Sequence, residues 1–221
     1  MKELAEGVWR LDEFPPARLI NVYLAGDILI DAGRTWDKGR ILKQTADRDV
    51  SMLALTHTHP DHQGSAHAVC GEREIPLACH ADDVDRMEGR VPVRASDAPV
   101  ARLYEKLWAG PPHKVDQVLD EGDEVGGFRV VHVPGHCPGQ VLYWRESDRV
   151  AICGDTLRNM TFITLRPKLK EMAPNLTPDV AEARRSIRKL ADLGPEITMP
   201  GHGPPVRGPE PIAELADRLG V

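Results

Sequence analysis

The sequence predicts an α/β fold, because short apolar runs typical of strands alternate with segments that have the periodicity of amphipathic helices. The chain has 221 residues, of which 41% are hydrophobic, and this length can bury a substantial core in one α/β unit. Low-complexity tracts and linkers are absent from the sequence, so we expect residues 1–221 to form a single domain. Polar residues at the ends of several apolar runs are a third indication, since ligands in open α/β sheets gather beyond the carboxyl ends of strands.

The strands are expected in two groups, with a less regular segment between them. In the first half we expect strands near 7–12, 20–24, 27–31, 51–56 and 75–79, and helices near 36–46 and 62–70. In the second half we expect strands near 117–121, 128–133, 140–145, 149–153 and 196–199. This recurrence indicates two similar halves.

The strongest helical signal covers residues 178–193. Thr177 is the expected N-cap and Pro178 the first helical residue. Apolar side chains recur on one face of the segment, and Gly194-Pro195 is a stop signal. We therefore expect a long amphipathic helix shortly before the last strand.

Seven histidine and aspartate residues can be read as one dinuclear metal site. Four of them lie between positions 57 and 62, and three follow at long intervals, each after an apolar run. The seven are His57, His59, Asp61, His62, His136, Asp155 and His202. Such a cluster needs partners if it is buried, since buried polar groups require compensation. The remaining histidines are expected to have no metal role; they are His67, His80, His113 and His132.

The side chains of this site divide into two sets of three and one bridging residue. Side chains of an extended segment alternate with period two, so the first two histidines point the same way and can share one metal. The first set is His57, His59 and His136, and the second is Asp61, His62 and His202. Asp155 has two oxygens and could bridge both ions. Imidazole and carboxylate without cysteine suit zinc, iron or manganese, and an open position for water on each ion would be typical of a catalytic site.

At these residues the chain resembles the metallo-β-lactamase fold superfamily. The His-x-His-x-Asp-His motif and the later ligands, in the same order, carry the resemblance, which spans almost the whole chain. It implies a four-layer αββα sandwich of the metallo-β-lactamase type, with the metals in a cleft at one edge. It also implies the two ligand sets above and the bridging role of Asp155. Leu29-Ile-Asp-Ala-Gly33 resembles the early strand-end motif of the superfamily, whose aspartate, here Asp31, lies behind the metals and orients their ligands.

The residue at position 155 narrows the subfamily. True β-lactamases of the superfamily commonly have cysteine, serine or histidine at the position that matches Asp155, and they are exported. An aspartate at this position resembles the pattern of glyoxalase II enzymes, lactonases, persulfide dioxygenases and tRNA-processing endonucleases. Glyoxalase II also carries a long helical C-terminal extension that binds glutathione, whereas only residues 203–221 follow His202. The resemblance therefore implies the chemistry and leaves the substrate open.

The resemblance and the ligand types imply a metal-dependent hydrolase, in which a metal-bound hydroxide attacks an ester, thioester, lactone or amide carbonyl of a small molecule. Asp61 or Asp155 would pass a proton to the leaving group. The expected cofactors are two divalent metal ions, zinc in first place and iron or manganese as alternatives. Two other functions stay open: oxidation by a single iron held by three side chains, as in persulfide dioxygenases, and a non-catalytic metal-binding module.

Two segments are expected to shape the substrate pocket. Residues 157–176 begin beside the bridging aspartate and offer both apolar and polar side chains. The expected substrate-binding residues are Arg158, Asn159, Met160 and Phe162. Residues 82–116 contain a second candidate segment around an amphipathic helix. Its aromatic residues, Tyr104 and Trp108, are expected to pack in the core, because aromatic residues at helical spacing usually do so.

A small molecule is the expected partner. The formal net charge of −6 and the absence of a basic run argue against a nucleic-acid substrate, whose phosphates call for clustered Lys and Arg. No segment approaches the roughly twenty apolar residues needed to cross a bilayer, and residues 1–6 do not resemble a signal peptide. Four cysteines without short paired spacings indicate a reduced, cytoplasmic location without a membrane partner.

Overall fold

The computed structural model describes residues 1–12 and 19–221. Two β-sheets pack face to face, and helices cover the outer face of each sheet. This arrangement confirms the expected α/β fold and has the four layers of an αββα sandwich.

The first sheet has seven strands in chain order. They are β1 (Lys2–Ala5), β2 (Val8–Arg10), β3 (Tyr23–Ala25), β4 (Ile28–Ile30), β5 (Met52–Ala54), β6 (Leu77–His80) and β7 (Gln117–Leu119). Neighbours from β1 to β4 are antiparallel, whereas β4 to β7 run parallel. The carboxyl ends of the parallel strands meet at one edge, and the loops that carry Asp31, His57 and Asp83 begin there.

The second sheet has six strands in the order β15, β14, β11, β10, β9, β8. Their bounds are β8 (Glu124–Val125), β9 (Phe128–His132), β10 (Val141–Arg145), β11 (Val150–Gly154), β14 (Ile197–Pro200) and β15 (Val206–Arg207). A small ribbon of β12 (Arg158–Asn159) and β13 (Leu169–Lys170) stands apart. Because β11 and β14 are parallel, Asp155 and His202 leave the sheet at the same edge.

The helices lie outside the two sheets or in the connecting loops. They are α1 (Lys38–Gln44), α2 (Pro60–Gln63), α3 (Ala66–Arg73), α4 (Val84–Met87), α5 (Pro99–Trp108), α6 (Val180–Asp192) and α7 (Glu210–Leu219), with 3-10 turns at Ala81–Asp83 and Pro174–Leu176. Apolar residues of α1 and α3 pack on the first sheet, and those of α6 and α7 on the second. No helix within residues 1–12 and 19–221 is both long enough and apolar enough to cross a bilayer.

Strand periodicity explains how the second sheet packs on both faces. In β9, Phe128 and Val130 contact the first sheet, whereas Val131 contacts the helical layer. In β10, Tyr143 faces the first sheet and Leu142 the helices. Side chains of a strand alternate between its two faces, so a sheet covered on both sides has an apolar residue at nearly every position. Burial of both faces of the sheet explains why the sequence has continuous apolar runs here.

Two buried tyrosines link the sheets through their hydroxyl groups. The Tyr143 hydroxyl donates to the carbonyl of Leu55 at 2.8 Å, and the Tyr23 hydroxyl donates to the carbonyl of Pro200 at 2.7 Å. Burial raises the pKa of both hydroxyls, so they remain protonated donors. Each acceptor lies two residues before a histidine of the predicted metal site, His57 or His202, and these bonds therefore fix where two ligand loops begin.

The start of the long helix differs from its sequence prediction. The expected N-cap, Thr177, follows a 3-10 turn instead, and its hydroxyl donates to the carbonyl of Ala173 at 3.0 Å. The N-cap of α6 is Asp179, whose carboxylate accepts the backbone N–H of Glu182 at 2.9 Å. Aspartate is at least as good a cap as threonine, so the helix begins two residues later than the threonine-proline pair indicates.

The helix predicted near residues 62–70 is interrupted between α2 and α3. At Gly64, a Cβ atom would collide with backbone atoms of Arg34, Thr35 and Trp108. The amide of Gly64 also donates to the carbonyl of Gly33 at 2.8 Å, and the amide of Thr35 to that of Trp108 at 2.8 Å. Glycine is required where backbones approach this closely, and the approach brings the end of α5 against the ligand-bearing helix α2.

A pair of leucine substitutions tests the assignment of the helical layers. Leu190→Ala in α6 removes a side chain that is fully buried against the second sheet. It should lower the free energy of unfolding by about 2–5 kcal/mol, because it leaves a cavity. Leu103→Ala in α5 is the matched control, since that side chain is 51% exposed, and it should change stability by no more than about 0.5 kcal/mol. Urea denaturation at constant metal content measures both values, and equal effects would contradict the layer assignment.

Candidate metal centre

All seven residues of the predicted metal site lie together at one edge of the sandwich. The connections after β5, β9, β11 and β14 carry them, with Asp61 and His62 in the short helix α2. Six of the seven are buried, and only Asp61 has an intermediate exposure. The parallel strand pairs and the two-sheet packing thus direct four separate segments of the chain to the same point.

Three histidines form the first ligand set. His57 Nε2 lies 3.1 Å from His59 Nδ1, and His59 Nδ1 lies 2.9 Å from His136 Nε2. Burial and the neighbouring imidazoles hold the pKa of His57 and of His59 well below the ordinary histidine value. Neutral imidazoles present their lone pairs, so this group is suited to hold a metal ion. We call it the first triad.

Asp61, His62 and His202 form a second group, which we call the second triad. One donor atom from each lies within 4.8 Å of the others, and Asp61 Oδ2 is 3.5 Å from His202 Nε2. The Pro60 residue at the start of α2 suits its position, because proline is tolerated in the first turn of a helix. The short helix therefore begins immediately after His59 and turns the next two ligands towards the second triad.

Asp155 lies between the two triads. Its Oδ2 is 3.4 Å from His136 Nε2 and 3.2 Å from His202 Nε2, while its Oδ1 is 3.4 Å from His62 Nε2. Burial alone would raise the pKa of this carboxyl, but His202 and His62 outweigh it and hold the pKa well below the ordinary value. One ionised carboxylate thus contacts both triads.

The donor set fits divalent metal ions. Two buried atoms, His62 Nε2 and Asp155 Oδ1, lie 3.4 Å apart and form no hydrogen bond within the described residues, although buried polar atoms nearly always have a partner. The three nitrogens of the first triad converge in the same way, and a hydrogen bond between two of them would need a hydrogen on one, which would then offer no lone pair to a metal ion. Divalent cations bound by these atoms would compensate their burial. Imidazole and carboxylate are ligands of zinc, iron and manganese.

Asp31 lies directly behind the second triad. Its Oδ2 is 2.8 Å from His62 Nδ1, and its Oδ1 accepts the backbone N–H of Thr56 at 2.8 Å. A proton on His62 Nδ1 leaves Nε2 as the atom that points to the metal centre. The backbone of Asp31 has a φ of 63°, a left-handed conformation that non-glycine residues rarely adopt outside constrained sites. This strained turn places the carboxylate behind its histidine.

A second buried aspartate, Asp83, holds the first triad from behind and was not among the predicted site residues. Its carboxylate accepts the backbone N–H of Thr58 at 2.9 Å and that of Gly139 at 3.2 Å. These two segments carry all three histidines of the first triad. The only sequence signal is an acidic residue just beyond β6, a position comparable to that of Asp31 beyond β4. A Cβ at Gly139 would approach the carboxyl carbon of Asp83 to 2.7 Å, which explains the glycine.

Cys137 is directed at Asp83. Its thiol donates to Asp83 Oδ1 at 3.1 Å, and burial raises the pKa of the thiol well above its ordinary value. A protonated, buried thiol is a poor metal ligand and nucleophile. Cys153, two residues before Asp155, is also fully buried and packs in the helical layer of the second sheet. Both cysteines are therefore packing residues next to ligands.

A cavity of about 310 Å³ opens directly above the metal centre. His59, Asp61, His136, Asp155 and His202 contribute to its floor. Its walls are mostly apolar and come from α5 and from the segment after Asp155; they include Ala101, Tyr104, Trp108, Phe162, Leu165, Met172 and Leu176. The interpretation of Tyr104 and Trp108 as core residues is wrong, because the face of α5 that carries them meets the cavity instead of a sheet.

The four predicted substrate-binding residues have different surroundings. Phe162 lines the cavity, and its ring meets that of His202 edge-on at a centroid distance of 5.3 Å. The Arg158 guanidinium donates to the carbonyl of Glu171 and lies over the Phe162 ring at 4.7 Å. Asn159 Nδ2 donates to the carbonyl of Pro204, and the Met160 side chain is buried. Phe162 alone of the four therefore faces the cavity in the described chain, and the other three support the loops around it.

His80, Asp82 and His132 form another cluster of metal-ligand residue types. The rings of His80 and His132 are stacked at 4.0 Å with an interplanar angle of 14°. Lone pairs of imidazole lie in the ring plane, so two nearly parallel rings cannot direct them at one ion. His132 Nε2 also lies 2.7 Å from the carbonyl of Pro138. We assign no metal to this cluster.

Sequence comparisons link the chain to metal-dependent hydrolases. A sequence model described as the metallo-beta-lactamase superfamily matches residues 15–202. The protein named probable metallo-hydrolase YflN, from Bacillus subtilis, is 29% identical, with 87% of this chain and 82% of that protein covered. A hydroxyacylglutathione hydrolase from Aeromonas hydrophila is 31% identical, with 78% of this chain and 54% of that enzyme covered.

Solved structures are similar over nearly the whole chain. The protein TTHA1623, crystallised in a di-iron-bound form, has a TM-score of 0.72 at 27% identity, with 94% of this chain and 98% of that chain covered. A beta-lactamase domain protein from Burkholderia ambifaria has a TM-score of 0.71 at 26% identity, with 99% of this chain and 76% of that chain covered.

Removal of the carboxylate between the triads tests whether the cluster binds metal. Asp155→Ala should lower the metal content per chain, because it deletes a side chain that contacts both triads. Asp148→Ala, which removes an exposed aspartate paired with Arg145, should leave the metal content unchanged. Elemental analysis after dialysis gives the stoichiometry, and an Asp155→Ala variant with full metal content would contradict the assignment.

Asp83→Asn tests the carboxylate behind the first triad. Asparagine keeps the size of the side chain but replaces one acceptor oxygen with a donor that faces backbone N–H groups. Metal affinity should fall on the order of 10–100-fold, as it does when supporting groups of metal ligands are lost. The control is Asp82→Asn, since Asp82 is adjacent and its side chain is 57% exposed.

Competition with a chromogenic chelator measures the two affinities, and the urea midpoint separates a loss of affinity from a loss of folding. Wild-type affinity in a folded Asp83→Asn variant would refute the supporting role.

Proposed function

Because the chain belongs to the metallo-beta-lactamase superfamily, we propose that it is a metal-dependent hydrolase. Its substrate would be an ester, thioester, lactone or amide of a small molecule. One observation carries the proposal: Asp155 contacts both triads at the floor of a cavity that can admit a substrate. The relative named probable metallo-hydrolase YflN supports hydrolysis, and the relative named hydroxyacylglutathione hydrolase supports an acyl compound as its substrate.

The second triad supports a dinuclear site. An enzyme with a single iron held by three side chains would need only one set of ligands. Here the donor atoms of Asp61, His62 and His202 also lie within 4.8 Å of one another, as those of the first triad do. We propose two divalent ions, zinc in first place, and the di-iron form of TTHA1623 supports iron as the alternative.

When bound, such ions supply Lewis acidity: they lower the pKa of a coordinated water towards roughly 7 and polarise a carbonyl oxygen. The chain's own residues orient the reactants and move protons. Both oxygens of Asp155 contact imidazoles, so this side chain is an orienting group. Asp61 lines the cavity, and its side chain is 15% exposed. The Asp61 carboxylate is therefore the group that we propose to accept a proton and pass it to the leaving group.

The surroundings of the floor support a small, uncharged reacting group. A cavity of about 310 Å³ lies at the lower end of the roughly 300–1,000 Å³ typical of small-molecule sites. Its mostly apolar walls lower the polarity around the reacting bond, which strengthens electrostatic effects at the floor. Cys70, Cys79, Cys137 and Cys153 are buried and unpaired, which supports the proposed reduced, cytoplasmic setting.

A substrate panel tests this function. Thioesters, aryl esters, lactones, β-lactams and phosphodiesters are assayed with protein reconstituted with zinc, manganese or iron. We expect turnover of at least one carbonyl substrate above buffer with free metal, and its loss after chelation and on Asp155→Ala substitution. Asp148→Ala is the control.

Two other outcomes would favour the rival functions. Oxygen uptake with glutathione persulfide and one iron per chain would replace the hydrolase with a dioxygenase. Metal binding without turnover of any compound would leave a non-catalytic module.

A further inference from the structure

The walls of the cavity identify the kind of acyl group that the proposed hydrolase would accept. We infer that the substrate carries an uncharged, apolar acyl chain, which lies between α5 and the turn of residues 161–166. This inference rests on the proposed hydrolysis for the position of the scissile carbonyl. Binding of the acyl chain itself depends only on the walls of the cavity.

The first wall is one face of α5. Ala101, Tyr104 and Trp108 recur at spacings of three and four residues, which places them on the same side of the helix. The rings of Tyr104 and Trp108 are stacked at a centroid distance of 4.3 Å and an interplanar angle of 5°. The two rings therefore lie face to face and hold each other in place, and both line the cavity beside the small side chain of Ala101. Aromatic side chains held in this way offer apolar surface that packs well against hydrocarbon.

The second wall is a short turn that follows the metal ligands. The amide of Leu165 donates to the carbonyl of Thr161 at 2.8 Å, and the amide of Thr161 donates to the carbonyl of Arg166 at 3.0 Å. Leu165 has a φ of 55°, a costly conformation for a branched side chain that here points it into the cavity with Phe162. The Arg158 guanidinium lies over Phe162 and holds its ring. The turn is thus built to present two apolar side chains.

The charge at the cavity wall argues against an anionic acyl group. Within residues 1–12 and 19–221, the cation that lines the cavity is Arg94. Its guanidinium is engaged by two carboxylates, Glu105 at 2.9 Å and Asp97 at 2.7 Å. Both ion pairs form between residues of the protein, so a carboxylate or phosphate on the substrate would have to compete with Glu105 and Asp97 for Arg94. A buried charge without a partner is costly, whereas each methylene gains from burial.

An acyl series measures the preference. Acetyl, butanoyl, hexanoyl and octanoyl groups are compared as thioesters and as aryl esters, with the succinyl compounds as anionic counterparts of butanoyl. We expect kcat/KM of the metal-loaded protein to rise roughly fourfold per methylene until the acyl chain fills the cavity. The succinyl compounds should react more slowly than the butanoyl ones. A flat series, or a preference for succinyl, would overturn the inference and leave the hydrolase intact.

Substitutions on α5 test where the acyl chain of the substrate binds. Trp108→Ala should flatten the rise of kcat/KM with chain length, and Trp108→Phe should restore most of it because an aromatic surface is kept. Leu107→Ala is the matched control, since the neighbouring Leu107 side chain is 48% exposed, and it should leave the series unchanged. A general loss of folding would lower all rates together, so a changed slope reports the wall itself. An unchanged slope in Trp108→Ala would overturn the assignment.

Direct binding separates this inference from the proposed hydrolysis. Calorimetric titration with octan-2-one, an uncharged ketone without a hydrolysable bond, should show binding that weakens in Trp108→Ala and persists in Leu107→Ala. The anionic ketone 4-oxopentanoate should bind more weakly. If octan-2-one binds in this way and no acyl compound is cleaved, the apolar site stands and the hydrolase does not. If octan-2-one does not bind to the wild-type protein, the apolar site is refuted, whatever is cleaved.

Discussion

The rest of the structure depends on one constraint, the burial of imidazole and carboxylate groups at the edge of two packed sheets. Such groups are costly in an apolar setting unless each has a partner. The protein provides partners from behind, where Asp31 faces His62 and Asp83 accepts N–H groups of both segments that carry the first triad. The side that faces the cavity keeps donor atoms without hydrogen bonds, and these are the atoms that suit metal ions. The metal centre is thus defined by hydrogen bonds on one side of the ligands and by unsatisfied donor atoms on the side that faces the cavity.

Floor and walls of the cavity come from different kinds of structure. The floor belongs to loops that leave rigid strands, so the ligand positions follow from strand register and sheet packing. The walls belong to α5 and the turn of residues 161–166, which lie outside both sheets. Loops on a rigid scaffold can change without disturbing the core. Reaction chemistry and substrate choice are therefore carried by separate parts of the chain.

The α/β fold class and the ligands between positions 57 and 62 could be predicted from local patterns, namely alternating apolar runs and closely spaced histidines. The three distant ligands were predicted from their positions after apolar runs and from the resemblance to the metallo-β-lactamase fold superfamily. Asp83 could not be predicted, since its partners lie far along the chain and a lone aspartate beyond a strand has no distinctive spacing. Helical periodicity shows that Tyr104 and Trp108 share a face, but it does not show what that face meets. The start of α6 was decided between two good caps, Thr177 and Asp179, and only the preceding 3-10 turn selects the second.

The origin of the ligands has a consequence for how the centre comes into being. Each triad takes two members from the loop after β5 of the first sheet and one from the second sheet: His57 and His59 with His136, and Asp61 and His62 with His202. Neither half of the chain contains a complete triad, so neither can form the centre before the halves have docked. High metal affinity therefore requires that the two halves are packed together. Metal binding can be used to monitor formation of the sandwich.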